Sequence, residues 1–287
     1  VFCHWLDSAL CFAKNEIEIL RKSLIELTNN LVVNSRKDIA KDLDSLKEME
    51  KNRSKIKKEL DISEDSIRSF LDNAKFLLDD CRGKGTVQFS RLARLGFVGK
   101  IILKSLVDRK IVDENFYYNF MNSISTVATE MNDDFKSMVS GSMEKEEFIQ
   151  KYSHLRPGSY DITSLRYEMN PSLIQNTGSD FSDGKTSGHF KIDKNVEEKI
   201  NSAFKKESLE FNANDFLQFV RSSLEAREFS KFEFTKNLSD ALELIALTGE
   251  KMGFTRQELA MLGMEDLFSG NEKNRDKITS MWKESIK

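Results

Sequence analysis

Apolar residues recur every three or four positions along most of the chain, and runs of alternating apolar and polar residues are rare. The first spacing is that of an amphipathic helix with one buried face, whereas the second is that of a half-buried strand. The sequence also has only two prolines, so few positions interrupt a helix. We therefore predict an all-α protein built from several helices.

The first two predicted helices run from about Ala13 to Val32 and from about Ser35 to Leu60. The second one is highly charged and has only a narrow apolar line. Such a line is typical of one arm of a long antiparallel helical hairpin whose charged face lies in water. A role for that charged face in binding a partner is the alternative.

The middle of the chain predicts three further helices. Ser63 is a suitable N-cap for a helix that continues to Cys81. The glycine-bearing segment from Arg82 to Phe89 is expected to interrupt the chain, so that Ser90 caps the next helix. A third helix is expected from Asp113 to Val139.

The last third opens with Glu168 to Asn195, the longest stretch without helical spacing, which predicts one long irregular loop. Within it, Gly178 to Thr186 is similar to a phosphate-binding loop. Five residues separate its two glycines where that motif has four, so we reject this assignment. Two helices are expected afterwards, one capped by Asn214 and one from Phe229 to Met252.

The charge composition offers little attraction for nucleic acid or for an anionic membrane. The 44 basic residues are balanced by 47 acidic ones, which gives a net charge of -3. No apolar run approaches the ~18 to 20 residues that span a bilayer. We therefore expect neither nucleic acid nor a membrane among the partners.

The cysteines and histidines do not suggest a metal site. Cys3, Cys11 and Cys81 form an odd, sparse set without the spacing of a zinc site or a disulfide framework, which favours a reducing, cytoplasmic location. His4 and His189 have no other potential metal ligands near them in the sequence. The chain starts at Val1, and no secretory signal follows, so we expect a piece cut from a longer polypeptide.

The densest cluster of functional residue types is the segment Lys151 to Tyr167, KYSHLRPGSYDITSLRY. Its Pro157-Gly158 pair indicates a turn, because proline fixes φ and glycine relaxes it. An ordinary surface turn does not need this many charged and hydrogen-bonding side chains, so we take the segment as the candidate binding loop. Its candidate residues are His154, Arg156, Tyr160, Asp161, Arg166 and Tyr167.

Basic residues elsewhere can complement this loop. Arg91 and Arg94 are spaced i, i+3 and project from one helix face, where they can form an anion site or simply meet solvent. Arg227 falls on a buried stripe, so it needs either an acidic partner or a ligand anion. In the next helix Lys231 lies near the inward face and Asn237 flanks it.

Three segments resemble the central helical domain of enzymes related to phosphoenolpyruvate synthase, pyruvate phosphate dikinase and rifampicin phosphotransferase. The Lys151–Tyr167 segment is similar to the motif YGHLRPG-Y-DI-S-RY of that domain. The segments from Gly85 to Val107 and from Ala226 to Leu262 are similar to two other parts of it. The resemblance covers most of the chain from about Gly83 to Leu267, in the expected order.

The resemblance implies a phosphoryl relay. In this family an ATP-grasp domain uses ATP and Mg²⁺ to phosphorylate a histidine on a small mobile domain, which passes the group to an acceptor on the central domain. The chain shows neither partner domain, so it is expected to be the acceptor-binding part of a longer kinase, inactive alone and without a bound cofactor. The expected parts are a helical hairpin over residues 1–82, an acceptor-binding part over 83–267 and a charged tail over 268–287.

The HLRPG-YD form of the motif resembles a subgroup that is associated with surface-polysaccharide gene clusters and includes a glutamine kinase of capsule synthesis. The implied acceptor is a small amino acid such as L-glutamine, phosphorylated on its amide. Arg156, Arg91 or Arg94 would clamp its carboxylate. Asp161 would hold its ammonium, and His154 would act as acid or base. The other pocket residues would be Tyr160, Arg166, Arg227, Lys231 and Asn237.

Other functions remain open. A pyruvate- or antibiotic-phosphorylating relative would use a different acceptor, and a large apolar cavity would favour a rifampicin-like ligand over an amino acid. A non-catalytic interaction module would bind a protein through the Ser35–Leu60 arm. His154 and Asp161 also have a structural alternative, in which they only hold the loop in place.

Overall fold

The structure is a computed structural model that describes residues 13–60, 67–169, 190–268 and 275–286. Every regular element in these ranges is helical, which confirms the all-α prediction. A π-helical turn, Cys81–Thr86, joins two of the α-helices. The α-helices are α1 (Lys14–Leu60), α2 (Ile67–Asp80), α3 (Val87–Asp108), α4 (Glu114–Asn122), α5 (Val127–Val139), α6 (Lys145–Tyr152), α7 (Lys194–Lys206), α8 (Ala213–Met252), α9 (Arg256–Leu259), α10 (Met264–Phe268) and α11 (Arg275–Ser285).

The chain divides into two compact units, each with its own apolar core. Each unit is assembled from three separate segments of the chain, whereas the parts expected from the sequence are consecutive. Among the described residues, no helix has both the length and the hydropathy needed to cross a membrane. Unit 1 comprises Val1–Leu43, Ser90–Thr129 and Lys185–Glu228, and unit 2 comprises Asp44–Phe89, Glu130–Gly184 and Phe229–Lys287.

Helix α1 runs unbroken for 47 residues, so the predicted interruption between Val32 and Ser35 is wrong. Polar side chains at this point bond to the helix's own carbonyls. The Asn34 amide donates to the carbonyl of Asn30 at 3.0 Å, and the Ser35 hydroxyl donates to that of Val32 at 2.7 Å. These bonds satisfy the polar groups without ending the helix.

A helical hairpin does form, but its second arm is not the predicted one. In unit 2, the Asn52 amide contacts Asp80 at 3.3 Å, and Lys84 pairs with Glu48 at 2.7 Å. From the first contact to the second, the residue number falls from 52 to 48 on α1 and rises from 80 to 84 on the other arm, so the two arms are antiparallel. The end of α1 therefore pairs with α2 and the π-helical turn.

The glycine-bearing segment does not interrupt the helix. Residues Cys81–Thr86 widen into a π-helical turn, and the Thr86 hydroxyl donates to the Cys81 carbonyl at 3.0 Å. Ser90 therefore lies inside a helix instead of capping one, and the boundary expected near residue 82 falls within the π-helical turn. Gly85 faces α8, where an added Cβ would lie 2.5 Å from the Cβ of Phe234.

Two other helix bounds differ from the prediction. The helix that starts after Asp113 ends at Asn122 and resumes at Val127, because the side chains of Thr126 and Thr129 bond to each other's backbone N–H. The two helices predicted in the last third are one, α8, since no residue between them disfavours a helix. Asn212, and not Asn214, accepts the capping bond from the Asp215 N–H at 2.9 Å.

The described part of the predicted charged tail is helical. Residues 275–285 form α11, and the side chain of Trp282 is fully buried in the core of unit 2. Its indole N–H donates to the Asp266 carbonyl at 3.0 Å, and its ring packs edge-on against Phe254. Burial of so large a ring gives α11 a structural role in unit 2.

Several predictions fall outside the described residues. They concern the Ser63 cap, residues 170–189 of the predicted irregular loop with Gly178–Thr186 and His189, and the positions of Cys3, His4 and Cys11.

The π-helical turn offers a matched pair of glycine substitutions. We expect Gly85→Ala to lower the free energy of unfolding by about 1–3 kcal/mol, because the new methyl group collides with Phe234. Gly83→Ala meets nothing within 4 Å and should leave stability unchanged or raise it by up to about 1 kcal/mol. Urea denaturation followed by circular dichroism measures both, and equal effects would contradict the packing described for Gly85.

Candidate functional site

The segment after α6 folds back on itself around the guanidinium group of Arg156. Its Nη1 donates to the carbonyl of Ser164 at 3.0 Å, and the Ser164 hydroxyl accepts from the Gly158 N–H at 3.0 Å. These bonds close the Pro157-Gly158 turn on the following residues. The compact turn predicted from the sequence is therefore present, and an arginine side chain holds it together.

The same guanidinium group ties the loop to α8. Its Nη2 donates to Glu243 and to the hydroxyl of Ser239, both at 2.9 Å. The Ser239 hydroxyl in turn donates to the carbonyl of His154 at 2.7 Å. With its side chain only 1% exposed, Arg156 is a buried anchor of the loop and not an open clamp for a carboxylate.

Arg166 makes a second connection between the loop and α8. Its Nε donates to the Ser239 hydroxyl at 3.0 Å and its Nη2 to Asp240 at 2.5 Å. Its Nη1 donates to Glu168 at 3.1 Å. Ser239 thus accepts hydrogen bonds from both arginines of the loop.

Asp240 is the acidic centre of this cluster, because α1 approaches it from the other side. Arg53 and Lys57 lie 3.2 and 3.0 Å from its carboxylate. Burial would raise the pKa of Asp240, but the attraction of Arg166, Lys57 and Arg53 outweighs burial and lowers it. Glu243 is held ionised in the same way. Burial raises its pKa, but Arg256, Arg166 and Arg156 together lower it by more.

A small cavity of about 160 Å³ opens beside these groups. We call it the charged cavity, and all of its lining residues belong to unit 2. Lys57 has a 51% exposed side chain, whereas the other charged lining residues are largely buried. The lining residues are Arg53, Ile56, Lys57, Leu60, Leu77, Arg166, Asp240, Glu243 and Leu244.

His154 is buried next to the cluster. The sequence predicts an acid or base that titrates near neutral pH, but the structure gives this histidine a much lower pKa. Burial, followed by the positive charges of Lys236, Arg166 and Arg53, lowers its pKa to about 3, against a weaker opposite effect of Asp240. The ring packs edge-on against Phe232 at 4.7 Å, and its Nε2 has no hydrogen-bond partner among the described residues. A neutral imidazole in this setting is not a proton donor at pH 7.

The remaining candidates in unit 2 take different positions. Tyr160 is 70% exposed and Lys231 is also exposed. The carboxylate of Asp161 accepts from the N–H and the hydroxyl of Thr163 at 2.8 and 2.7 Å, so it already stabilises the turn. Asn237 is fully buried, and its amide donates to the Leu77 carbonyl at 3.5 Å.

The other three candidates belong to unit 1. Arg91 forms a bidentate ion pair with the buried carboxylate of Asp42, which gives it a structural partner. Arg227 lies over the ring of Phe97 and pairs with Glu228 at 3.3 Å, so an acidic partner, one of the two alternatives for this residue, is present. Arg94 is exposed at the edge of an apolar groove.

The charged groups that complete the cluster were not among the sequence candidates. Arg53 and Lys57 lie on the charged arm of α1, for which the sequence predicts a solvated face, yet both contact Asp240. Asp240 and Glu243 are spaced i, i+3 on α8, so they share one face of that helix. Two acids spaced i, i+3 on the buried side of a helix are the sequence signal that could have identified this site, because buried carboxylates need cationic partners.

The described residues give no sign of a metal centre, since no three histidine, cysteine, aspartate or glutamate side chains come together in a suitable arrangement there. Comparison with models of protein families, with curated proteins and with solved structures finds no match. A functional proposal must therefore be based on the sequence motifs and on the geometry of unit 2.

Loss of the loop anchor should destabilise the protein strongly. We expect Arg156→Met to lower the free energy of unfolding by about 2–4 kcal/mol, because the loop loses its bonds to Ser239 and Glu243 of α8 and the Ser164 carbonyl loses its donor, although Arg256 still pairs with Glu243. Tyr160→Ala, at an exposed position of the same loop, should change it by less than about 0.5 kcal/mol. Urea denaturation measures both, and a small effect of Arg156→Met would contradict the anchoring role.

His154 should make stability depend on pH. Its pKa lies near 3 in the folded protein and near 6.5 in the unfolded chain, so only the unfolded chain binds this proton between those values. Folding is therefore disfavoured as the pH falls below 6.5. We expect the stability of the wild type relative to His154→Gln to decrease by up to about 1.4 kcal/mol per pH unit over that range.

Urea denaturation of both proteins at several pH values between 7 and 4 tests this expectation. Asp240 and Glu243 are present in both proteins, so their own titration largely cancels in the difference. A difference that does not change with pH would contradict a buried, neutral His154.

Proposed function

We propose that this chain is the acceptor-binding helical domain of an ATP-dependent phosphohistidine-relay kinase that phosphorylates a small amino acid such as L-glutamine. The motifs that resemble this family support the reaction class. The observation that carries the choice of acceptor is the charged cavity of unit 2, which is small and is lined by cations and carboxylates together. A small cavity lined by charges of both signs suits a small ligand that itself carries a positive and a negative group.

The charges around the cavity suit a zwitterion. Arg53 and Lys57 approach from α1, and Lys57 is exposed enough to reorient toward an incoming carboxylate. The carboxylates of Asp240 and Glu243 are held ionised and can accept hydrogen bonds from an ammonium group. An amino acid that exchanges one of the existing ion pairs for its own charged groups keeps the cavity electrically balanced.

The proposal changes the roles of the residues first selected from the sequence. Arg156, Arg166 and Asp161 hold the loop in place, and His154 supplies a neutral, buried ring instead of a proton. Arg91, Arg94 and Arg227 belong to unit 1, where Arg91 and Arg227 have protein partners. Acceptor binding is therefore assigned to residues of unit 2 alone.

The phosphoryl donor would come from outside this chain. In the family that the motifs resemble, ATP and Mg²⁺ are bound by an ATP-grasp domain, and a phosphohistidine domain delivers the group. We extend this arrangement to the present chain, with the ATP-grasp and phosphohistidine domains as parts of the same polypeptide. The setting that accompanies the proposal is cytoplasmic modification of a surface polysaccharide.

A large apolar acceptor is less well supported. The structure does contain an apolar groove of about 730 Å³, but it lies in unit 1 and involves none of the Lys151–Tyr167 loop. A protein-binding role for the charged arm of α1 is also less favoured, since Arg53 and Lys57 of that arm contact Asp240.

Calorimetric titration of the protein with L-glutamine, pyruvate and rifampicin tests the acceptor. We expect saturable binding of glutamine, weakened at least about tenfold by Lys57→Met, which removes the exposed cation of the charged cavity. Lys58→Met is the matched control, because this exposed lysine does not line the cavity. Arg156→Ala is unsuitable here, since it is expected to disrupt the loop itself.

Three results would count against the proposal. Glutamine binding that is equally affected by both lysine variants would place the ligand elsewhere. Preferential binding of pyruvate or rifampicin would change the acceptor class. If no small ligand binds, and the Ser35–Leu60 arm captures a protein instead, the interaction module becomes the better assignment.

A further inference from the structure

Unit 1 contains a wide apolar groove that the proposed function does not use. It lies between α1, α3 and the end of α7, and its volume is about 730 Å³. Most of its lining side chains are aliphatic, with one phenylalanine from α3 and one from α7.

The apolar side chains on both edges of the groove are exposed to solvent. Leu27 on α1 is 53% exposed, and Phe97 and Ile101 on α3 are 56% and 42% exposed. A site for a small ligand normally encloses most of that ligand's surface. A groove with its apolar edges in water is instead typical of a surface that a protein partner covers.

The groove has the length of a short helix. Its α3 wall extends from Arg94 to Arg109, the residue directly after α3, which corresponds to about 22 Å at 1.5 Å per residue. On the opposite wall, α1 contributes residues at helical spacing from Arg21 to Leu31. A helix of about four turns laid along the groove would place its apolar residues between the two walls.

The charged residues of the groove have a clear bias in sign. Arg94 stands at one end of the α3 wall. At the other end Arg21 and Arg109 both contact Glu207, at 3.2 and 2.8 Å, and Glu207 is the sole acidic lining residue among those described. The groove therefore carries an excess of positive charge, with three arginines and one glutamate. This excess attracts a partner whose apolar stripe has acidic residues at its ends.

We propose that the groove of α1, α3 and α7 binds an amphipathic helix of a partner protein whose apolar stripe is flanked by acidic residues. Leucines or other large aliphatic side chains of that helix pack between Leu27 on one wall and Phe97 and Ile101 on the other. Its acidic ends meet Arg94 and the Arg21–Arg109 pair. This interaction is separate from acceptor binding, which uses residues of unit 2.

Two labelled peptides of about sixteen residues, stapled as helices, test the proposal. Both carry leucines at i, i+3, i+4 and i+7 spacing, and one has glutamates at its ends whereas the other has lysines. Fluorescence anisotropy should show tighter binding of the glutamate peptide, with an affinity that falls as salt is added. Leu27→Asp should weaken it at least about tenfold, because it places a charge on the apolar wall.

Arg94→Glu should reduce or reverse the preference for the glutamate peptide, which a merely hydrophobic surface would not do. Lys58→Glu and Val139→Asp, at exposed positions of unit 2 that do not line the groove, are the matched controls, and both should leave binding unchanged.

The proposal is overturned if neither peptide binds, or if both bind equally and Arg94→Glu has no effect. It is also overturned if analytical ultracentrifugation shows a dimer that Leu27→Asp abolishes, since a second copy would then cover the groove. Stoichiometric displacement of the peptide by a long-chain fatty acid at equal or lower concentration would assign the groove to a lipid instead.

Discussion

An ionised carboxylate on the buried side of α8 must be matched by positive charge, and this requirement shapes most of unit 2. Asp240 meets Arg166 of the loop and Arg53 and Lys57 of α1. An uncompensated charge in such a poorly solvated place would cost far more than an exposed ion pair contributes. The position of the loop and the pairing of α1 with α8 are therefore linked through a single side chain.

The helical class was predictable because the apolar spacing is a local property of the sequence. The ends of the helices were less so. Val33 and Asn34 do not disfavour a helix strongly, and the bonds that Asn34 and Ser35 make to the preceding turn keep α1 intact. The glycines of the π-helical turn looked like a break, but tertiary packing against Phe234 decides that Gly85 lies within a helix.

The candidate loop was also predictable, whereas the roles of its residues were not. The composition of Lys151–Tyr167 identified an unusual turn, and the turn is there. Whether Arg156 faces a ligand or the protein depends on Glu243, which is 87 residues away in the sequence. The same holds for the pKa of His154, since burial and three distant cations set it. Long-range contacts of this kind leave no periodic signal in one sequence.

The Ser239 hydroxyl uses all of its hydrogen-bonding capacity within the protein, which decides which groups around it donate and which accept. A hydroxyl has one proton and two lone pairs. Here the proton goes to the His154 carbonyl, and the lone pairs receive Arg156 and Arg166. The serine has no capacity left for a ligand and cannot relay a proton without breaking the loop. Among the charged side chains that line the charged cavity, that of Lys57 is the most exposed, so a flexible lysine is the charged group that a solute reaches most easily.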